Sequence, residues 1–136
     1  MRPIVLDTNA YTAFKRGDEQ IVAVLQHAPV IILCVTVLGE LLGGFAAGQR
    51  ESNNRSELTQ FLNTPRVKVV FSTTATADLY ALVYAALRRK GQPIPTNDLW
   101  IAASSLEHGA ALLTLDAHFK NIDGLSAGTR LENFIP

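Results

Sequence analysis

A single cysteine, Cys34, among 136 residues excludes an intrachain disulfide, and its place in the apolar run from Val30 to Val35 marks a buried thiol rather than a reactive one. Charge of one sign is equally lacking. Lys and Arg number 12 and Asp and Glu number 12, so the strong positive excess of a general polyanion binder is missing. No apolar stretch approaches the roughly 18 residues of a membrane span. The most apolar segment, 28 to 42, is interrupted by Thr36, Gly39 and Glu40, and Ile4-Val5-Leu6 near the start is too short for a signal sequence. A soluble cytoplasmic protein without membrane attachment is the expectation. Also missing are a GxxxxGK phosphate loop, a GxGxxG turn after a strand, an HExxH zinc helix and a GxSxG nucleophile elbow. There is no internal repeat and no low-complexity tract.

What is present is an apolar fraction of 48% spread over the whole length, the composition of one globular domain covering residues 1–136. Short continuous apolar runs at Ile4–Leu6 and Val30–Val35 have the character of strands buried on both faces. A helix is expected over Asn9–Phe14, and a second over Glu19–Gln26 capped by Asp18. A third, capped by Thr36, spans Val37–Ala47, and a polar amphipathic one falls within Gln49–Leu62. Val67–Phe71 reads as a strand nearer an edge because Lys68 interrupts it. Thr74 or Thr76 caps a long helix to Arg89 or Lys90. Pro93 and Pro95 precede a largely apolar helix, capped by Thr96 or Asn97, that runs to about His108 and stops at Gly109. Ala110–Leu115 is a further strand ending at Asp116, and Leu131–Ile135 a possible last one. Strands alternating with helices imply an α/β fold with a mostly parallel sheet covered on both faces.

In such sheets ligands bind beyond the carboxyl ends of the strands. Asp7 and Asp116 follow strands, while Glu40 and Asp98 lie early in helices that begin at the same edge. Taken singly, each acid has an ordinary reading as a helix cap, a dipole partner or a turn residue. Glu40 is harder to place so, because Val37, Leu38, Leu41, Leu42 and Phe45 surround it. Four carboxylates converging on one edge repel unless some are protonated or a cation sits among them. Oxygen ligands without a Cys or His cluster favour Mg²⁺ or Mn²⁺ over zinc, and such a site suits phosphoryl chemistry with a metal-activated water. Setting these four acids aside leaves 12 basic against 8 acidic residues, so a polyanionic substrate is compatible with the chain. Lys15-Arg16, Arg50, Arg55, Arg66 and Arg88-Arg89-Lys90 are the candidate phosphate contacts.

Four motifs together resemble those of the PIN-domain ribonucleases, and within them the VapC-type toxins of toxin–antitoxin pairs, over nearly the whole length. They are Val5-Leu6-Asp7-Thr8-Asn9, Glu40 after the second strand, Asn97-Asp98-Leu99-Trp100-Ile101-Ala102-Ala103, and Leu113-Thr114-Leu115-Asp116-Ala117-His118-Phe119. The resemblance implies a PIN-domain α/β/α sandwich and a Mg²⁺- or Mn²⁺-dependent endoribonuclease acting on tRNA or ribosomal RNA. It also implies a homodimer and a small antitoxin that covers the acidic site. By position it makes Asp7, Glu40, Asp98 and Asp116 the catalytic, metal-binding acids, with Thr8, Asn9, Asn97 and Thr114 as their support. Leu115 stands where many relatives carry a polar or basic residue. His118 reads as packing and local hydrogen bonding rather than as an acid or base, and Trp100, among apolar neighbours, as core rather than a base-stacking ring. Two alternatives stand beside this reading. One is a phosphoacceptor module of the receiver kind, against which Asp7 lacks a paired acid and the first lysine after Leu112 is Lys120. The other is a PIN-like RNA-binding protein without activity, against which all four acids are present.

Overall fold

In a computed structural model, which describes residues 1–135, the strands β1 (Ile4–Leu6), β2 (Ile31–Cys34), β3 (Val67–Val70), β4 (Ala111–Leu113) and β5 (Ala127–Gly128) form one sheet in the order β3-β2-β1-β4-β5. Every pairing is parallel. Helices α1 (Thr8–Lys15) and α2 (Glu19–His27) connect β1 to β2, α3 (Val35–Ala47) and α4 (Glu51–Leu62) connect β2 to β3, and α5 (Thr74–Arg89) and α6 (Thr96–Glu107) connect β3 to β4. Parallel crossovers are right-handed, so the connections stepping from β1 to β3 and the one stepping back from β3 to β4 cover opposite faces. This is an α/β/α sandwich whose strand order reverses beside β1 and β4.

Burial explains why these short runs become strands. All three residues of β1 are fully enclosed, between Ile31 and Ile32 on one side and Ala111, Leu112 and Leu113 on the other. Neither face needs polar residues, so the apolar pattern is continuous rather than alternating. Lys68 is tolerated because β3 is an edge strand. Cys34 is buried at the end of β2, and burial pushes its thiol pKa up, as expected of an unreactive cysteine. Among the described residues no helix is long and apolar enough to cross a membrane.

Helix starts differ from the sequence expectations in an instructive way. Thr36 does not cap α3: β2 leaves its pairing with β3 at Cys34, which itself occupies the cap position, and Thr36 is already helical. Pro95 holds the cap position of α6, and Asn97 spends its amide on Glu40 instead. In α5 the cap is Thr73, whose N–H donates to Thr76 Oγ1 at 2.9 Å; Thr76 in turn donates to Glu107 Oε1 at 2.5 Å and ties the start of α5 to the end of α6. Gly109 ends α6 at φ +59°, a left-handed conformation that glycine adopts at little cost.

Three further expectations are corrected. Leu131–Ile135 is not a strand. Leu131–Asn133 forms a 3-10 turn stabilised by Asn133 Oδ1, which accepts from the N–H groups of Thr129 and Arg130, and the last strand is instead β5. Strand β4 stops at Leu113, so Thr114 and Leu115 intervene before Asp116. Thr114 Oγ1 accepts the Asp116 N–H at 3.1 Å and turns the chain there. Trp100 is half-buried rather than core: Leu99, Ile101, Ala102 and Ala103 take the inward face of α6, and the indole packs on Tyr80 of α5 with ring centres 4.4 Å apart.

Replacing Thr76, which is fully buried, by Val keeps its shape but leaves the Thr73 N–H and Glu107 Oε1 without their partner, Glu107 Oε2 keeping its bond from Thr73 Oγ1. Urea denaturation of Thr76→Val is expected to show a loss of about 1–3 kcal/mol.

Candidate metal centre

The carboxyl edge of the sheet opens where the strand order reverses, beside β1 and β4, and this is where open parallel sheets place their ligands. Asp7 is the residue at which β1 becomes α1. Its extended backbone caps the helix, its Oδ1 accepts the Thr8 N–H at 2.8 Å, and its Oδ2 accepts the Thr114 hydroxyl at 2.7 Å. Only 3% of Asp7 is exposed, and among the described residues it alone joins a charged side chain to the buried class.

The other three acids stand around it, each held by a neutral donor or by histidine. Glu40, in the second turn of α3, accepts from Thr8 Oγ1 at 2.5 Å and from Asn97 Nδ2 at 3.3 Å. Asp116 accepts from Asn9 Nδ2 at 3.1 Å, while Asn9 Oδ1 accepts the Leu115 N–H at 3.0 Å and fixes the loop that carries the acid. Asp98, in the first turn of α6, meets His118 Nε2 through Oδ2 at 2.8 Å. The four support residues read from the sequence, Thr8, Asn9, Asn97 and Thr114, thus each hydrogen-bond to one of the four acids.

The electrostatics record the crowding. Burial, and to a smaller degree the charges of Asp98 and Glu40, raise the Asp7 pKa to about 6 against the lowering effect of its hydrogen bonds from Thr114 and Thr8. Asp98 is raised as well, mainly by burial and also by Asp116 and Glu40, although His118 opposes the shift. These are carboxylates short of positive charge. Hydroxyl and amide donors orient them without neutralising them, and an oxygen-rich set of this kind fits a hard divalent cation. One ligand atom from each of Asp98, Asp116 and His118 lies within 4.8 Å of the others, near enough to share an ion. Asp7 and Glu40 lie outside that trio.

His118 packs and hydrogen-bonds locally, as the sequence reading has it, and its hydrogen-bond partner is one of the four acids. It follows Asp116 by two positions, which hinted at the site, but the turn of its ring toward Asp98 depends on the 3-10 segment Ala117–Asn121, where it packs on Phe119. A cavity of about 470 Å³ elsewhere on the fold is not the site. It lies at the amino edge, bounded by Met1, Ile4, Ala111 and Phe134, and holds none of these acids.

The PIN domain family model matches residues 4–125, which include all four acids. This chain belongs to the PIN domain family. Among its relatives are ribonuclease VapC11 of Mycobacterium tuberculosis, 30% identical over 124 residues that cover 85% of this chain and 88% of the relative, and ribonuclease VapC4 of the same species. The VapC4 match is 36% identical over 83 residues, 60% of this chain and 63% of that protein, so it spans less than two thirds of the relative's length. The solved VapBC2 complex of Rickettsia felis, bound to a promoter DNA fragment, is 25% identical with a TM-score of 0.80, covering 93% of this chain and 97% of the other. A DNA-bound VapBC from Salmonella typhimurium shares the fold at 24% identity and a TM-score of 0.81, with 94% and 98% covered. The PIN domain α/β/α architecture expected from the sequence is therefore the observed one, and membership of this family does not favour a receiver module.

Two measurements probe this PIN domain site. Because the folded Asp7 pKa of about 6 exceeds its ordinary 3.8, the folded state binds the extra proton, and stability from this group falls as pH rises from about 4 to about 6. Metal-free protein is expected to lose about 3 kcal/mol over that window, with Asp7→Asn flattening the dependence and Mn²⁺ restoring stability above pH 6. Calorimetric Mn²⁺ titration of His118→Leu is expected to show roughly ten-fold weaker binding, partly recovered in His118→Gln.

Proposed function

We propose that this protein is a divalent-metal-dependent endoribonuclease and the toxin of a toxin–antitoxin pair. The observation that carries the reading is the set of four acids at the reversal of strand order, each already oriented by a donor of its own. Membership of a family whose relatives include VapC ribonucleases supports RNA as the substrate. Solved VapBC complexes on this fold support a small protein antitoxin as partner. A homodimer and a cytoplasmic location accompany this reading.

Asp7, Glu40, Asp98 and Asp116 would hold Mg²⁺ or Mn²⁺, with His118 beside Asp98. Once bound, the ion supplies charge for a phosphate oxygen and lowers the pKa of the attacking water. The chain's own residues do the preparation. Thr8 and Thr114 fix the plane of the Asp7 carboxylate and leave a lone pair on each oxygen for the cation. Asn9 keeps the exposed Asp116 aimed at the opening. Glu40 takes one donor on each oxygen, from Thr8 and Asn97, and likewise keeps a lone pair on each for the cation or for a water the cation holds. Burial of Asp7 beneath this shell limits the screening of its charge by bulk water, so a bound cation gains more from Asp7 than from a carboxylate at an open surface.

The test is cleavage of RNA by the purified chain with Mg²⁺ or Mn²⁺. Activity is expected to vanish with chelator and return with either ion, and Asp7→Asn and Asp98→Asn are each expected to lower the rate at least about 100-fold while circular dichroism is unchanged. Cleavage by both variants at the wild-type rate would overturn the assignment. Incubation with a small phosphodonor is expected to leave the mass unchanged; a stable aspartyl phosphate would restore the signalling alternative.

A further inference from the structure

The structure sorts the basic residues that sequence left equivalent. Arg66 turns onto its own fold, donating from Nη1 to the carbonyls of Leu25 and Ala28. Lys90 binds the Asn121 carbonyl and Asp123, the Arg88 guanidinium lies over the Tyr84 ring and bonds its hydroxyl, and Arg130 pairs with Glu132. Arg16, Arg50, Arg55 and Arg89 have no carboxylate within ion-pair distance among the described residues, and of these Arg16 and Arg50 share one cavity. With Lys15 they line one cavity of about 300 Å³ between α1, α3 and the start of α4, whose other walls include Tyr11, Phe45 and Glu57. Lys15 meets Glu57 at 3.4 Å, so three cations face one carboxylate and the groove keeps a surplus of two positive charges.

Its position gives that charge a direction. Helix α1 carries Thr8, bonded to Glu40, at its start and Lys15 at its end, about 10 Å further along at 1.5 Å per residue. Helix α3 carries Glu40 and then Phe45, one turn later, into the groove wall. The two helices that bring Thr8 and Glu40 to the acid cluster therefore also supply walls of a positively charged groove further along their length. An acidic cluster repels a polyanion, and a neighbouring cationic channel is what holds such a chain in place across it.

We propose that Lys15, Arg16 and Arg50 bind the backbone phosphates of single-stranded RNA on one side of the scissile phosphate, so that the strand runs along α1 into the acid cluster. This rests on the ribonuclease reading of the same edge. Guanidiniums grip phosphate through two parallel N–H donors, and the contact is indifferent to base. The groove therefore sets the path and affinity of the strand and leaves base selection to other surfaces.

Fluorescence anisotropy with a labelled single-stranded RNA, in Asp98→Asn protein across a salt series, tests it. Adding Arg16→Ala and Arg50→Ala is expected to weaken binding roughly 10-fold near 0.1 M salt and to reduce the slope of log affinity against log salt by about 1.4, at about 0.7 per phosphate contact. Arg16→Lys with Arg50→Lys is expected to restore most of the slope, because charge rather than shape carries it. An unchanged slope and affinity, in protein whose wild type cleaves RNA, would overturn the groove and leave the ribonuclease reading standing. If the alanine pair instead spares RNA and weakens a co-expressed antitoxin, the groove belongs to the protein partner and the proposal fails. If the wild type neither cleaves nor binds RNA, the ribonuclease reading fails and takes the groove with it.

Discussion

A carboxylate buried at the end of the central strand is the constraint on which the rest of this structure depends. Taking Asp7 out of water is costly, and the fold offsets that cost with two hydrogen bonds, one from the Thr8 N–H and one from the Thr114 hydroxyl. The first requires a helix to start directly after β1. The second requires β4 to lie beside β1 in a register that pairs Leu6 with Leu113, so that Thr114 arrives at the same level. Strand order, register and helix start are all coupled to the hydrogen bonding of one side chain.

The compensation is incomplete, which is what a cation-binding role of the kind proposed above requires. Neutral donors orient the acids without cancelling their charge, which leaves Asp7 and Asp98 with raised pKa values. A fold optimised for stability alone would place apolar residues here. Electrostatic strain concentrated at one edge, beside a core of fully enclosed Ile, Leu and Val side chains, is the usual signature of a ligand's place. Around Asp7 stand the other acids with their Thr and Asn donors, and along α1 and α3 lies a groove whose three cations are only partly balanced by Glu57.

Much of this was legible along the chain because the relevant signals are local. Continuous apolar runs marked the buried strands, and acids directly after them marked the carboxyl edge. Helix caps were read less well, since Thr36, Thr74, Thr96 and Asn97 are all suitable cap residues whose side chains the fold uses differently or not at all. Trp100 was assigned to the core because its neighbours are apolar, yet only the faces of α6 that meet the sheet are fully enclosed, and the indole falls beside Tyr80. The final strand was misplaced because two residues, Ala127 and Gly128, are too short a signal for any periodicity.

The sequence by itself determined the alternation of strands and helices and the placement of four acids at one sheet edge, since each follows from residue type and position relative to the nearest apolar run, while the Thr and Asn companions were marked only by the family resemblance. Tertiary structure alone decided which groups meet. Thr114 reaches Asp7 across 107 positions, and Asn97 reaches Glu40 across 57. Likewise His118 turns to Asp98, Arg66 is consumed by carbonyl groups, and Arg16 and Arg50 share one groove without a carboxylate partner of their own among the described residues. Local propensity carries no information about such pairs. A hydrogen bond or an ion pair depends on distance in space, which is fixed only when the strands are ordered and the helices are packed on their faces.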